Sequence, residues 1–230
     1  IEWLDAEFKD CDDIVTRKFP VGSRKSVSVY VMYRDNMANH AVIEDNIITS
    51  MMIQIREVPP EMPAIKDNIY SALKDGGVTS ADIKETESLD DITLAVMSGD
   101  AALLIGDSAK AIIISSKGFP SRGVNSAETE VVVQGSKESF NEVLRTNTCL
   151  VRRRIRDTKL KVKQMQVGRR TKTDIALMYM DDIVRQEVLD DCIQRLNNID
   201  IDGIFDSGYI EQLIEDDWLS PFPQGQMTER

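Results

Sequence analysis

The stretch of residues 128–173 constrains the fold most, because its pattern changes from strand to helix and back to strand. A β-branched run at residues 130–133 predicts the first strand. Gly135 and Ser136 predict a turn and the N-cap of a long helix, whose last turn carries Arg152, Arg153 and Arg154. Lysines alternate with apolar residues over 159–167, which predicts a strand near a sheet edge. Alternating strands and helices are typical of an α/β fold.

The predicted helix carries polar residues on its apolar face. Asn147 and Arg154 fall on the stripe at helical spacing. A buried Asn or Arg needs partners, because an unsatisfied polar group costs about 1–3 kcal/mol and an unpaired charge costs more. We therefore expect this face to meet a polar seam as well as a core, unless the helix curves and both residues lie at its edge. The apolar members of the stripe are Phe140, Val143, Leu144, Leu150 and Val151.

Charge is distributed unevenly along the chain. Residues 145–172, the basic island, hold eleven Lys and Arg and one acid, whereas the rest of the chain holds 17 bases and 38 acids. Residues 174–217, the acidic stretch, hold thirteen acids and two bases. A basic island can bind nucleic acid, but the acidic remainder would repel a polyanion. We therefore expect the island to pair with acidic parts of the same protein or of a partner, and we expect no nucleic-acid partner.

The second half of the chain carries a series of linked motifs. They are Glu128-Thr129-Glu130, Gly135, Phe140, Arg145-Thr146-Asn147, Leu150-Val151-Arg152-Arg153-Arg154-Ile155, Gly168-Arg169-Arg170-Thr171-Lys172-Thr173, Asp200-Ile201-Asp202, Asp206-Ser207-Gly208-Tyr209-Ile210-Glu211, Ser220-Pro221-Phe222-Pro223 and Thr228-Glu229-Arg230. In order and spacing these motifs resemble the A subunits of the GerA family of spore germinant receptors, whereas the first half of the chain resembles the family mainly in pattern. Ser126-Ala127 stand where the family usually has Glu-Pro, and Ser136-Lys137 stand where it usually has Pro-Arg.

The resemblance implies a role in spore germination. It implies an N-terminal domain on the cytosolic side of the spore inner membrane, which takes part in nutrient sensing, signal coupling or subunit assembly. Germinant receptor B and C subunits, further copies of the A subunit and a small nutrient are the implied partners. The chain has no run of about 20 apolar residues, so no segment of it is expected to span a membrane. The resemblance implies that the proline-bearing tail leads into a membrane-spanning region.

The sequence also predicts how the domain is divided. We expect two small α/β subdomains, residues 1–118 and 127–230, each with a mixed sheet covered by helices, and a linker at 119–126 where Gly and Pro cluster. This resembles a two-lobed substrate-binding arrangement. The predicted elements before the linker are a short helix and a connecting segment in 1–19, a strand at 26–33, helices at 40–52, 64–74 and 90–98, a short strand within 78–87, and a hairpin of 101–105 and 109–115. A last helix is predicted to begin near Ser207.

Catalytic and metal chemistry have little support in the sequence. The chain has one histidine, His40, and three widely spaced cysteines without a Cys-x-x-Cys motif. Its paired carboxylates lack the spacing of a calcium loop, and no glycine-rich phosphate loop is present. We therefore expect no enzyme, no metal and no cofactor.

The remaining function is binding. Charged and amide side chains near the linker could bind the charged ends of an amino acid, or a polar sugar, in a cleft between the lobes. The alternative is a salt-bridge network between the lobes without a ligand. The competing class is a stand-alone small-molecule-binding module, or a charged adaptor that contacts nucleic acid or anionic lipid through residues 152–172. The candidate ligand or lobe-interface residues are Arg122, Glu128, Glu130, Asn147, Arg152, Arg153 and Arg154.

Overall fold

The chain forms two compact units. The first comprises Ile1–Ser121 with Arg152–Thr158, and the second comprises Arg122–Val151 with Lys159–Arg230. The computed structural model describes residues 1–21, 27–35, 37–49, 83–106, 108–118, 130, 134–135, 138–215 and 225–229. The predicted linker at 119–126 lies outside these residues and stays a prediction, as do the helix at 64–74 and the strand at 131–133.

The first unit is built on a five-stranded antiparallel sheet with the order β1-β2-β4-β5-β3. A π-helix, a rare form with wider turns, follows β2. The predicted strand at 26–33, the helix at 90–98 and the hairpin are confirmed. The elements are α1 (Glu2–Glu7), β1 (Ile14–Val21), β2 (Val27–Arg34), the π-helix (Val42–Thr49), β3 (Ile83–Thr86), α2 (Leu89–Met97), β4 (Ala101–Ile105) and β5 (Ala111–Ile114).

Both faces of this sheet are buried. Val29 and Val31 of β2 face one core with Ile43 of the π-helix. Met32 of β2 faces a second core, where Leu4 of α1 and Val96 of α2 pack. A strand that is covered on both faces has no polar side to alternate with, so residues 27–33 read as an almost continuous apolar run.

The first nineteen residues contain a strand that the sequence reading missed. We predicted a connecting segment after the first helix, which is wrong because β1 occupies most of it and pairs along its whole length with β2. β1 is an edge strand with exposed Arg17 and Lys18, and it contains Pro20. Charged residues and proline are characteristic of sheet edges, and they weaken the local strand signal.

The described part of the second unit holds a β-hairpin, two whole helices and most of a third. β6 and β7 pair antiparallel from Leu160↔Met180 to Val167↔Thr173, and Gly168 turns the chain between them with a φ of 92°. The predicted strand at 159–167 and the predicted helix start near Ser207 are both confirmed. The elements are α3 (Leu144–Arg154), whose last turn belongs to the first unit, β6 (Leu160–Val167), β7 (Thr173–Met180), α4 (Gln186–Asn197) and α5 (Ser207–Ile214).

Two details of this region differ from the prediction. α3 begins at Leu144 and not near Ser136, because Asn141 forms a turn there. Its side chain accepts a hydrogen bond from the Val143 backbone N–H, which starts the helix at that point. Lys161 was expected on an open strand face but is buried.

The predicted α/β class is confirmed, although the described strands pair antiparallel throughout, where mixed sheets were expected. Across the described ranges, no helix has both the length and the apolar character that crossing a bilayer requires.

Candidate functional site

A fully buried ion pair joins Arg152 to Asp13 within the first unit. Arg152 Nε and Nη2 donate to the two carboxylate oxygens of Asp13, each at 2.9 Å, and both side chains are 0% exposed. Arg152 Nη1 also donates to the backbone carbonyl of Asp157 at 3.4 Å. This bidentate arrangement, with two N–H···O hydrogen bonds to one carboxylate, is among the strong hydrogen-bonding geometries in proteins.

The buried face of α3 explains why Arg152 is the enclosed arginine. Thr148, Cys149 and Arg152 are buried and lie three and four residues apart, so they share one side of the helix. Arg153 and Arg154 are exposed. Arg154 therefore does not lie on the buried stripe, where the polar seam was expected, and its exposure agrees with the alternative that it lies at the edge of that stripe.

Glu130 holds the end of the described chain in the second unit. Its Oε2 accepts hydrogen bonds from Thr228 Oγ1 at 2.8 Å and from the Glu229 backbone N–H at 3.3 Å. The carbonyl of Glu229 in turn accepts from the Phe140 backbone N–H at 2.7 Å. We call these four residues the C-terminal clasp.

Asn147 continues the same network. Its Oδ1 accepts from the Asn141 N–H at 2.8 Å, and its Nδ2 donates to the Asn141 carbonyl at 2.6 Å. Because Asn141 follows Phe140, the network runs from Glu130 through Glu229 and this loop to α3. The structure thus links Glu130 to Asn147 only indirectly, through Glu229 and the loop at Phe140 and Asn141, and it places Arg152 in a separate pair. Arg122 and Glu128 lie outside the described residues.

The basic island pairs with the acidic stretch at the β6–β7 turn. Arg169 contacts Asp200 and Asp202 at 3.2 Å each, and Arg170 contacts Asp202 at 3.7 Å. These side chains are more than 60% exposed, so each pair contributes at most about 1 kcal/mol. The expected pairing of the island with acids of the same chain is confirmed at these positions.

A groove of about 1000 Å³ lies in the second unit between α4, α5 and residues 225–228. Arg195 ties the two helices together, since it donates to the Ile214 carbonyl at 2.8 Å and pairs with Asp191 at 2.6 Å. Val188, Ile214 and Met227 supply apolar lining, and Glu187 and Glu211 add carboxylates. The sequence reading missed this groove. The related feature of the sequence was the density of acids in 174–217, and a dense run of acids does not predict a concave surface.

The described side chains offer binding groups more readily than reactive ones. In the ranges the structure covers, no three His, Cys, Asp or Glu residues cluster as metal ligands. The three cysteines, all of which the structure describes, form no disulfide, and Cys11 and Cys149 are buried. Burial raises the pKa of the partly exposed Cys192 thiol, which lowers its reactivity near neutral pH.

Comparison with known proteins identifies the family. The model of the Bacillus/Clostridium GerA spore germination protein family matches residues 2–230. The chain is 34% identical over its whole length to 43% of the uncharacterized membrane protein YfkQ of Bacillus subtilis. It is also 34% identical over 97% of its length to 40% of spore germination protein KA of the same organism.

A solved structure of a spore germinant receptor domain also matches the whole chain. The crystal structure of the N-terminal domain of the A subunit of the Bacillus megaterium spore germinant receptor GerK3 matches with a TM-score of 0.69 and 30% identity, covering 100% of this chain and 82% of that one. The chain spans only about two fifths of the length of the two curated relatives. The whole-chain match to the family model shows that this chain belongs to the GerA family of spore germination proteins.

Proposed function

We propose that this chain is the non-enzymatic N-terminal domain of a spore germinant receptor A subunit. The observation that carries the proposal is the match, in fold and over the full chain, to the N-terminal domain of such a subunit. In this role the domain takes part in nutrient sensing, signal coupling or subunit assembly during spore germination.

The proposed setting follows from the longer relatives. One of them is named a membrane protein, and this chain spans 43% of its length. We propose that the full-length protein lies in the spore inner membrane with this domain on the cytosolic side, alongside germinant receptor B and C subunits and further copies of the A subunit.

The C-terminal clasp gives the coupling role a physical basis. Residues 225–229 are held by Glu130 and by the Phe140 backbone, and through that loop they connect to α3. If a membrane-embedded region follows this segment, a ligand or neighbouring subunit that binds one arrangement of the clasp more tightly raises the population of that arrangement. The region that follows then shifts with it. Coupling then needs only a difference in contact energy between two states.

Germination of spores that carry the full-length protein tests this role. Glu130→Ala removes both acceptor contacts to the C-terminal segment, so we expect a slower response to nutrients at an unchanged receptor level, measured by immunoblot. Glu142→Ala is the matched control, because Glu142 is an exposed glutamate in the same unit. A normal response with Glu130→Ala would contradict the coupling role.

A ligand screen tests the sensing role separately. Thermal unfolding is followed with amino acids, sugars and nucleosides at millimolar concentration. A ligand at about 100 times its Kd stabilises the folded state by roughly 2.7 kcal/mol, which raises the midpoint by several degrees in a chain of this size. A compound-specific rise that Glu130→Ala abolishes, while the fold is kept, would support sensing at the clasp. Unchanged midpoints for every compound would leave coupling and assembly as the role.

A further inference from the structure

The groove between α4 and α5 has the character of a docking surface. Its apolar lining is open to solvent, since Val188 is 49% exposed and Met227 is 58% exposed. Pockets for small ligands span about 300–1,000 Å³, and the groove, at about 1000 Å³, lies at the upper end of that range. It therefore has room for several side chains of a protein partner.

The charge of the groove selects the kind of partner. Its lining holds four acids, Glu187, Asp191, Glu211 and Glu215, and two bases, Arg185 and Arg195, so acids outnumber bases there. Arg195 is engaged with Asp191 and with the Ile214 carbonyl. A partner segment that is apolar at its centre and basic on both sides is therefore complementary to the groove.

The same chain presents such a segment. Residues 153–156, the basic segment, have the sequence Arg-Arg-Ile-Arg and are all exposed. Ile155 is 39% exposed between Arg154 and Arg156. α3 ends at Arg154, so the second half of the segment has an irregular backbone that can follow a groove.

We propose that the groove of one molecule binds the basic segment of a second copy. Ile155 packs on Val188 and Met227, and the flanking arginines meet the carboxylates of Glu187 and Glu211. Groove and segment are different surfaces, so the contact is head-to-tail and builds a ring or an open array. The inference rests on the proposed assembly role and deepens it, because it assigns the surfaces through which two copies meet. Its failure would remove these surfaces and leave the proposed function, which the germination assay tests separately.

Sedimentation velocity over a concentration series tests the proposal. The unmodified chain is expected to associate with rising concentration, and less so at high salt. The segment variant is Arg154→Glu/Arg156→Glu, and the groove variant is Glu187→Lys/Glu211→Lys. Each places like charges at the contact, so each is expected to weaken association about tenfold or more. Lys9→Glu/Lys18→Glu is the matched control for charge reversal on exposed residues, and it is expected to associate normally.

A mixing experiment distinguishes this contact from other modes of association. The segment variant keeps an intact groove, and the groove variant keeps an intact basic segment. At a concentration where each variant alone stays monomeric, the mixture is expected to form a one-to-one dimer that grows no further. Circular dichroism verifies that both variants are folded.

Three results would overturn the proposal. The first is an unmodified chain that stays monomeric over the whole series. The second is association that neither variant weakens. The third is binding of anionic phospholipid vesicles or single-stranded DNA that the segment variant loses while the unmodified chain remains monomeric, which would assign the basic segment to an anionic surface.

Discussion

Arg152→Met is expected to destabilise the protein strongly, because it leaves the carboxylate of Asp13 buried without its cation. The two hydrogen bonds that Arg152 donates to Asp13 are 2.9 Å long, and neither side chain is exposed. Removing one partner of a buried ion pair costs about 3–5 kcal/mol, because the remaining charge has no water to solvate it.

This loss is large against the total stability. A folded domain is stable by about 5–15 kcal/mol, so the substitution removes a substantial share of the free energy of unfolding. For a chain of this length each kcal/mol shifts the melting temperature by about 2–4 °C, so we expect a fall of roughly 6–20 °C.

Urea unfolding followed by circular dichroism measures the effect. Asp13→Leu/Arg152→Met removes both charges together and is expected to recover most of the lost stability, because apolar replacement of a buried ion pair is often neutral. Arg156→Met is the matched control. It removes an exposed arginine four residues after Arg152, so its effect is expected to stay within about 0.5 kcal/mol.

Two results would refute this reasoning. If Arg152→Met and Arg156→Met unfold at the same urea concentration, the ion pair of Arg152 and Asp13 does not stabilise the folded state. If the double variant is no more stable than Arg152→Met, the loss arises from the arginine side chain itself and not from an unpaired carboxylate.

Three further predictions concern single contacts. Burial and a hydrogen bond to Asp5 raise the pKa of Tyr30, so above about pH 10 the folded phenol keeps a proton that the unfolded chain loses. The free energy of unfolding should therefore fall as pH rises above about 10, and urea unfolding at several pH values should show a smaller fall for Tyr30→Phe. Gly99 has a φ of 94°, and an added Cβ would lie 3.0 Å from the Met37 carbonyl oxygen, so Gly99→Ala should cost more than about 1 kcal/mol; an unchanged urea midpoint would contradict it. Asp206 caps α5 by accepting from the N–H groups of Gly208 and Tyr209, so Asp206→Ala should cost about 1 kcal/mol by the same measurement, while Asp206→Asn should cost less.

Local patterns predicted most of the elements and failed where side chains redirect the backbone. A run of residues with one conformational preference predicted each of β2, α2, β6 and the hairpin of β4 and β5. The start of α3 was placed too early because the turn at Asn141 depends on its side chain, which helix periodicity does not represent. β1 was missed because an edge strand keeps charged residues that a central strand would exclude.

The candidate site residues divide in the same way. The sequence singled out Glu130, Asn147 and Arg152 as candidate ligand or lobe-interface residues, and in the structure each is hydrogen-bonded to other groups of this chain. Their partners are far away in the chain or, for Asn147, in a turn. The carboxylate that holds Arg152 is 139 residues distant, and no local pattern connects the two.

The sequence by itself determined the α/β class, the family and the separation of charge into a basic island and an acidic stretch, because propensity, motif order and net charge are properties of neighbouring residues. Only the tertiary structure decided which arginine is buried, which glutamate holds the C-terminal segment and where a groove opens between α4 and α5. These depend on the rotation of each helix and on contacts between distant segments. A rotation of one helical position exchanges Arg152 for an exposed neighbour, and the free energy of burying a charge makes that difference large.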